Sequence, residues 1–299
     1  MSKGDRLSYL EEYQKALVCY GRAVSLNPNA HEAYYKKGNA LREMGKYKEA
    51  VQRYNKVILL QSNPADAYFT KGMALRMMGK NEEALNCYDK YISLDPDSPN
   101  AYSNKGLILY EVGKNEEAGD CFEKAISLDP NFPSAYFNKG LVLTAMEKNE
   151  EAGDCFEKVI SLDPNDVDAH YNKGVTLLRL GKNKEAVACF DQAINLNPSY
   201  VDAYSFKGCI LNEMGECEEA VRCFDKIISL NPNYVNAYHN KGFVLDKMKK
   251  YKEAVDCYDE AISIDPDNAA FYDNKGLVLQ KLGKNDEAKA CFEKADSLY

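Results

Sequence analysis

Apolar residues recur along this chain at fixed helical spacing. With His31 taken as place 1 of a 34-residue unit, place 8 is always glycine, place 11 is always leucine and place 14 is Met, Val or Leu. Place 4 is tyrosine in every unit but one, where His170 stands. The spacing 4, 8, 11, 14 follows one face of an α-helix. Each unit therefore predicts a first helix with one apolar face.

A second apolar segment follows in every unit. Place 20 is always alanine, place 24 is Tyr or Phe, and place 28 is mostly isoleucine. Between the segments lies a break such as Gly113-Lys114-Asn115, where asparagine is expected to cap the second helix. The glutamates that follow suit the positive end of a helix. A proline such as Pro130 then closes the unit. The pattern predicts a helical hairpin.

The period does not slip over the length of the chain. The place-8 glycines are Gly38, Gly72, Gly106, Gly140, Gly174, Gly208, Gly242 and Gly276. A fixed period indicates one small unit copied in tandem and not a domain with a single core. We expect one array over 1–299, with a partial repeat at 1–30 and repeats at 31–64, 65–98, 99–132, 133–166, 167–200, 201–234, 235–268 and 269–299.

The order of aromatic, glycine, leucine, alanine, aromatic and proline places resembles the tetratricopeptide repeat. The resemblance covers essentially the whole chain. It implies an all-α fold, an α-solenoid of antiparallel helical hairpins in a right-handed superhelix whose first helices line the concave side. Departures are few: lysine fills place 7, from Lys37 to Lys275, and Glu147 and Lys249 replace a turn glycine. We expect the lysines to pack their aliphatic stems and keep a solvated ammonium group.

Composition and net charge limit the classes of partner and site that we expect for this chain. The net charge of −8 argues against a nucleic-acid partner. The sequence has no apolar run of about 18 residues and no secretory signal, so we expect a cytoplasmic protein without a membrane partner. Eight of the ten cysteines share place 23, and equivalent helices roughly 8–10 Å apart cannot be bridged. We expect these cysteines to be small apolar fillers, and we expect no metal or cofactor.

Places 2, 5, 6, 9, 12 and 13 avoid the packed face and are expected to point into the groove. Place 6 is the most regular polar one. An asparagine side chain offers a donor and an acceptor together, so a column of them can bind an extended peptide backbone. This is similar to the asparagine ladder in the repeat portion of peptide O-linked N-acetylglucosamine transferases. Alternatively, these residues link adjacent repeats or are merely solvated. The candidates are Asn104, Asn138, Asn172, Asn240 and Asn274.

Aromatic and basic residues add to the candidate groove. Exposed aromatic side chains in a groove are typical of an interaction surface. Place 9, mostly apolar, either contacts a ligand or packs against the neighbouring first helix. The Lys–Asn spacing of repeats that hold a chaperone C-terminus is absent, although positive charge does lie near the N-terminal end. The aromatic candidates at place 5 are Tyr35, Phe69, Phe137 and Tyr171, and the basic ones are Arg42 and Arg76.

Three functions fit this sequence. The first is a non-catalytic scaffold that binds an extended partner segment, because no Ser/His/Asp set, phosphate loop or carboxylate pair stands out. The second is the targeting portion of a larger enzyme, such as a peptide glycosyltransferase. The third is a self-assembling rod. Repeat arrays normally carry polar end caps, so the clipped first unit and the uncapped end at Tyr299 predict a fragment, end-to-end self-association or both.

Overall fold

The computed structural model describes residues 3–299, with side chains from residue 12 onward. Met1 and Ser2 of the expected partial repeat lie outside this range. All regular structure in the described residues is helical. The helices are α1 Lys3–Leu26, α2 His31–Glu43, α3 Tyr47–Leu60, α4 Ala65–Met77, α5 Asn81–Leu94, α6 Pro99–Glu111, α7 Asn115–Leu128, α8 Pro133–Ala145, α9 Asn149–Leu162, α10 Val167–Arg179, α11 Asn183–Leu196, α12 Val201–Glu213, α13 Cys217–Leu230, α14 Val235–Lys247, α15 Tyr251–Ile264, α16 Ala269–Lys281 and α17 Asn285–Asp296.

Even-numbered helices are the first helices of the repeats, and odd-numbered helices from α3 onward are the second. Their tight turns place one residue in the left-handed region, as at Gly113 with φ 79°. Glu147 and Lys249 adopt the same conformation without being glycine, with φ 61° and 60°. Helix α1 runs unbroken for 24 residues, where a hairpin fragment was expected. Its sequence has Glu11 at the place that holds the turn glycine in most other repeats.

The expected asparagine cap is wrong. Helix α7 begins at Asn115, and Lys114 occupies the N-cap position without a side-chain cap. The turn causes this shift, because the Lys114 N–H donates to the Leu109 carbonyl at 2.8 Å and the Lys114 carbonyl already accepts from the Ala118 N–H. Asn115 is therefore the first residue inside the helix. The glutamates after it do occupy the first turn, as predicted.

The chain forms two compact units, Met1–Leu162 and Asp163–Tyr299. In both, the place-24 ring lies on the place-8 glycine of its own hairpin. A Cβ atom added to Gly106 would stand 2.9 Å from the Phe122 ring, and one added to Gly208 would stand 2.9 Å from the Phe224 ring. Only glycine allows this approach. That the whole chain is one array stays a prediction.

The buried core includes places that the sequence analysis did not select. In the third full repeat, Ala101, Ile108 and Ala125 are completely buried at places 3, 10 and 27. Tyr102 and Ile126, at the nearly constant places 4 and 28, are only half-buried. Places 3 and 10 are two helical turns apart and so share one face. Constancy at places 4 and 28 therefore did not identify the deepest positions.

The ten cysteines are free thiols. At place 23, Cys19 is exposed, whereas Cys87, Cys155, Cys223 and Cys257 are buried. Burial raises the pKa of four place-23 thiols to about 11: Cys121, Cys155, Cys223 and Cys257. This agrees with a filling role. Within the described part of the chain, no helix is long and apolar enough to cross a membrane.

Candidate functional site

Neighbouring first helices meet along one continuous face inside each unit. We call the residues at places 5, 6, 9, 12 and 13 the first-helix face. Side chains from adjacent repeats bond across it: the Lys247 Nζ donates to the Asn212 Oδ1 at 2.8 Å, and the Lys281 Nζ pairs with Asp246 at 2.7 Å. Each bond joins place 13 of one repeat to place 12 of the repeat before it. The expected groove places thus lie side by side.

Helix packing gives this face its curvature. Successive first helices contact one another in both units, as α6 does with α8 and α12 with α14. Successive second helices contact one another less. Closer spacing on one side of a stack makes that side the inner one. The first-helix face is therefore the inner face of each unit.

The asparagines of place 6 are all half-buried on this face. In two of them the amide nitrogen is held by the helix itself: the Asn104 Nδ2 donates to the Asn100 carbonyl, and the Asn172 Nδ2 donates to the Asp168 carbonyl, both at 2.8 Å. These bonds fix the side-chain rotamer. The Oδ1 acceptor of each amide takes no part in these bonds.

Two other asparagines link adjacent repeats. The Asn274 Nδ2 donates to the His239 Nε2 at 2.9 Å, and the Asn240 Nδ2 lies 4.0 Å from the Cys209 Sγ. Burial lowers the pKa of His239, so its ring is neutral near pH 7 and its Nε2 can accept. The alternative interpretation of place 6, a link between adjacent repeats, therefore applies to Asn240 and Asn274.

The aromatic residues of place 5 are also half-buried. Each packs on the place-24 ring of its own repeat, leaving part of the side chain on the first-helix face. The centroid distances are Tyr35–Tyr54 6.0 Å, Phe69–Tyr88 5.6 Å, Phe137–Phe156 5.6 Å and Tyr171–Phe190 5.8 Å. These rings thus extend the core up to the inner surface.

Phe206 interrupts the asparagine column for a packing reason. It stacks on Phe190 at 5.8 Å with an interplanar angle of 13°, and it contacts Tyr171 edge-on at 5.9 Å. The three rings join two repeats through apolar contact. An asparagine at this position would lose that contact.

Unit Met1–Leu162 contains a cavity of about 280 Å³ on the first-helix face. It brings together three of the predicted residues, Arg42, Arg76 and Asn104. The other lining residues are Met73 at place 9, Glu43 and Met77 at place 13, all predicted groove places, and Tyr47, which the sequence analysis did not predict. The cavity combines two guanidinium groups with apolar walls.

Two buried tyrosine hydroxyls of the same unit differ in their hydrogen bonding. The Tyr54 hydroxyl donates to the Asn39 Oδ1 at 2.8 Å. The Tyr88 hydroxyl, one repeat later, is buried without a hydrogen-bond partner in the described structure, because Met73 occupies the place that Asn39 holds. Burial raises the pKa of Tyr54 to about 12, and burial raises the pKa of Tyr88 as well.

The sequence contains a signal for these buried tyrosine hydroxyls. From residue 31 on, tyrosine takes place 24 where place 12 is charged, and phenylalanine takes it elsewhere. The pairs, given as place 12 with place 24, are Arg42 with Tyr54, Arg76 with Tyr88 and Asp246 with Tyr258.

Unit Asp163–Tyr299 has its own cavity, of about 310 Å³, between α12 and α14. Cys209, His239 and Phe243 are among its lining residues. Phe243 is 46% exposed, and Leu277, at the same place one repeat on, is 49% exposed. The place-9 side chain packs against the core in some repeats, as Leu107 does. In the repeats of Phe243 and Leu277 it is open to solvent.

The lysines of place 7 are not simply solvated, contrary to expectation. Each ammonium group named below pairs with a carboxylate at place 25 of the preceding repeat, sixteen residues earlier. The lysine side chains are only 19% to 28% exposed, so their stems do pack. The pairs are Lys105–Asp89, Lys139–Glu123, Lys207–Asp191, Lys241–Asp225 and Lys275–Asp259.

Solved structures of similar architecture are helical repeat proteins. YrrB, described as a TPR protein with an unusual peptide-binding site, is 28% identical, with a TM-score of 0.55 over 60% of this chain and 93% of that one. MamA is 27% identical, with a TM-score of 0.52 over 54% of this chain and 94% of that one. The C-terminal part of a TPR repeat-containing protein from Cytophaga hutchinsonii is 16% identical and shows the fold, with a TM-score of 0.71 over 80% of this chain and 98% of that one.

Family profiles match the chain almost from end to end, whereas a search of curated proteins gave no match. The profile described as TPR repeat matches residues 4–41, 38–79, 72–113, 106–146 and 140–181. Profiles described as Tetratricopeptide repeat match 167–200, 201–234, 235–268 and 257–290. With the stacked hairpins described above, these matches show that the chain belongs to the tetratricopeptide repeat family.

Proposed function

We propose that this chain is a non-catalytic scaffold whose first-helix face binds an extended segment of a partner protein. Proteins of this family bind peptide or protein partners, which supports the general class. The peptide-binding site described for YrrB is a second support. The ten free thiols suit a reducing compartment such as the cytoplasm.

One observation carries the proposal. Half-buried asparagines recur at place 6 on the inner face, and two of them have their amide nitrogen fixed by their own helix, Asn104 and Asn172. A fixed amide presents its Oδ1 as an acceptor at small entropic cost. The N–H groups of an extended peptide supply matching donors. The half-exposed rings at place 5 offer contact area beside them.

Selection of binding peptides would test this proposal. The full chain is immobilised and incubated with a random synthetic peptide library. The affinity of each selected peptide is then measured by fluorescence polarisation. Asn138→Ala combined with Asn172→Ala removes two amides. Because a hydrogen bond contributes about 0.5–1.5 kcal/mol, we expect affinity to fall roughly tenfold with helicity unchanged.

Asparagines outside the first-helix face provide the control. Asn55 and Asn86 are exposed on the second helices α3 and α5. Replacing both by alanine leaves affinity unchanged if the first-helix face is the binding surface. Equal affinity of the wild type and the Asn138/Asn172 variant contradicts the role of the asparagines. Self-association, also expected from the sequence, stays a prediction that light scattering over a concentration series tests.

A further inference from the structure

We propose that the second-helix side of unit Met1–Leu162 carries a separate docking surface for an acidic segment of a partner protein, with Lys37 and Lys71 as its main contacts. Place 7 lies on the opposite side of the first helix from places 5 and 9. This surface is therefore distinct from the first-helix face. The inference goes beyond the proposed function and does not rest on it.

Ion pairs between repeats follow a pattern that the first two junctions lack. We call the contact of one repeat with the next a junction. At a later junction, the Lys105 Nζ lies 2.7 Å from the Asp89 Oδ1, and the carboxylate stands at place 25, sixteen residues before the lysine. The residues sixteen before Lys37 and Lys71 are Gly21 and Asn55. Neither of these two residues carries a negative charge.

Lys37 and Lys71 are therefore left without an ion-pair partner among the residues that the structure describes. A Cβ atom added to Gly21 would stand 3.8 Å from the Lys37 Nζ. The ammonium group thus lies beside bare backbone, at the point where a place-25 side chain starts in later repeats. Both lysines are half-buried, so packing of their stems restricts where the charges can lie.

Arg53 adds a third cation to this surface. It occupies place 23, where every other repeat has cysteine. Place 23 lies close to place 7 of its own repeat, since burial raises the pKa of Cys223 and the neighbouring Lys207 ammonium opposes that rise. By the same register, Arg53 lies beside Lys37. The Arg53 Nε is buried with no acceptor in the described part of the chain, and Glu49, one turn earlier, forms no ion pair with it there.

The charge of the second helices changes along this unit. Helix α3 carries three basic side chains and one acidic one, whereas α7 carries four acidic side chains and one basic one. Arg22 and Lys56, which follow Gly21 and Asn55 in the sequence, are exposed and extend the positive surface. An acidic segment is attracted to α1 and α3 and repelled by α7. Charge complementarity therefore selects an acidic occupant and the end of the unit where it docks.

A ligand carboxylate would make the contact that Asp89 makes with Lys105. A hydrogen bond between an ammonium group and a carboxylate is among the stronger ones in proteins. Lys37 and Lys71 are one repeat apart, so one segment with two acidic side chains can reach both. Once the first carboxylate is bound, the second contact forms at a high effective concentration.

The test measures binding of a fluorescent synthetic peptide of alternating Glu and Gly residues to the full chain by fluorescence polarisation. A peptide with Gln in place of every Glu is the neutral probe. We expect the wild type to bind the Glu peptide and not the Gln peptide, with an affinity that falls as salt is added. Lys37→Met combined with Lys71→Met should lower that affinity roughly tenfold or more, because two charge-assisted hydrogen bonds are lost.

Lys105→Met combined with Lys139→Met is the matched control, since it removes the same two charges from lysines that already hold carboxylates. We expect this variant to keep the wild-type affinity. Asn55→Asp supplies the missing carboxylate to Lys71 and should also weaken peptide binding. Its exposed position makes it the deciding variant if circular dichroism shows that a lysine variant does not fold. Equal losses in the two lysine variants, or no binding of the Glu peptide by the wild type, overturn the inference.

Two further measurements separate the occupants and the two surfaces. If light scattering shows an oligomer that Lys37→Met with Lys71→Met dissociates, a second copy occupies the surface and the inferred partner segment is wrong. The Asn138→Ala, Asn172→Ala variant should bind the Glu peptide as the wild type does. Loss of Glu-peptide binding in that variant would place the acidic segment on the first-helix face and overturn this inference alone. Failure of the random library to yield any peptide refutes only the proposed function.

Discussion

The Tyr54 hydroxyl donates a hydrogen bond to the Asn39 Oδ1 at 2.8 Å across one helical hairpin. Its equivalent in the next repeat, Tyr88, is completely buried with no such partner in the described structure. The two tyrosines thus share a ring position and differ in one hydrogen bond. This difference predicts opposite effects of the same substitution.

Tyr54→Phe should lower the free energy of unfolding by about 1 kcal/mol, because it deletes a hydrogen bond and leaves an acceptor. Tyr88→Phe should leave stability unchanged or raise it slightly, because it removes a buried hydroxyl that bonds nothing. Urea unfolding followed by circular dichroism measures both changes. An equal loss in the two variants would show that the hydroxyl environments do not differ as described.

The lysine–carboxylate pairs should couple neighbouring repeats. The Lys207 Nζ lies 2.5 Å from the Asp191 Oδ1, with the lysine side chain 19% exposed and the aspartate 43% exposed. A double-mutant cycle of Lys207→Met and Asp191→Asn should give a coupling of about 0.5–1 kcal/mol that weakens with added salt. The control cycle replaces Lys184, an exposed lysine on α11, by methionine in place of Lys207. A coupling near zero at low salt would mean that solvent screens the pair completely.

Much of the fold could be predicted because identical units must satisfy identical contacts. Glycine at place 8 and a ring at place 24 are constant since each ring lies directly on its glycine, as Phe122 does on Gly106. Places 10 and 27 were missed because their chemistry varies. Place 10 changes from Ala74 to Ile108 and Val142 while staying fully buried. Burial there does not require one residue type, since Thr176 is also buried at this place.

The candidate site was less predictable, because its geometry depends on contacts between repeats. The sixteen-residue spacing of Lys207 and Asp191 has no meaning until place 7 is known to face the preceding second helix. Likewise, Asn104 and Asn274 occupy the same place, yet one bonds its own helix and the other bonds His239. A single residue type at one place therefore does not fix one role. Neighbouring side chains decide it.

Two glycines inside helices should respond in opposite ways to alanine. Gly106→Ala places a methyl group 2.9 Å from the Phe122 ring, so we expect a loss of about 1–3 kcal/mol in unfolding free energy. Gly119 lies within α7, and a Cβ atom there meets nothing within 4 Å. Gly119→Ala should therefore gain about 1 kcal/mol from helix propensity.

Gly153 in α9 has the same helical context as Gly119, because the two segments are near-copies in sequence. Gly153→Ala should match the gain of Gly119→Ala in thermal unfolding. If both variants gain stability and bind selected peptides as the wild type does, these glycines are duplicated neutral features. If both gain stability but lose peptide affinity, bending at these positions takes part in binding.

Alkaline pH should weaken the fold through the place-23 thiols. Burial raises the pKa of Cys223 from 9.0 to about 11, so its folded-state pKa exceeds that of the unfolded chain. Its stabilising contribution is complete below the unfolded-state pKa. Above that value the unfolded state releases its proton first, and stability falls as the pH rises toward the folded-state pKa.

Cys223→Ala removes this dependence for one site. The stability difference between wild type and variant should therefore shrink between pH 9.0 and about 11, by up to roughly 1 kcal/mol per pH unit.

Alkylation gives an independent readout, because the thiolate is the reactive form. At about pH 8, iodoacetamide should label the exposed Cys19 well before the buried Cys223 in the native chain, and both at similar rates in urea. Equal labelling rates in the native chain would contradict the burial that raises the pKa of Cys223.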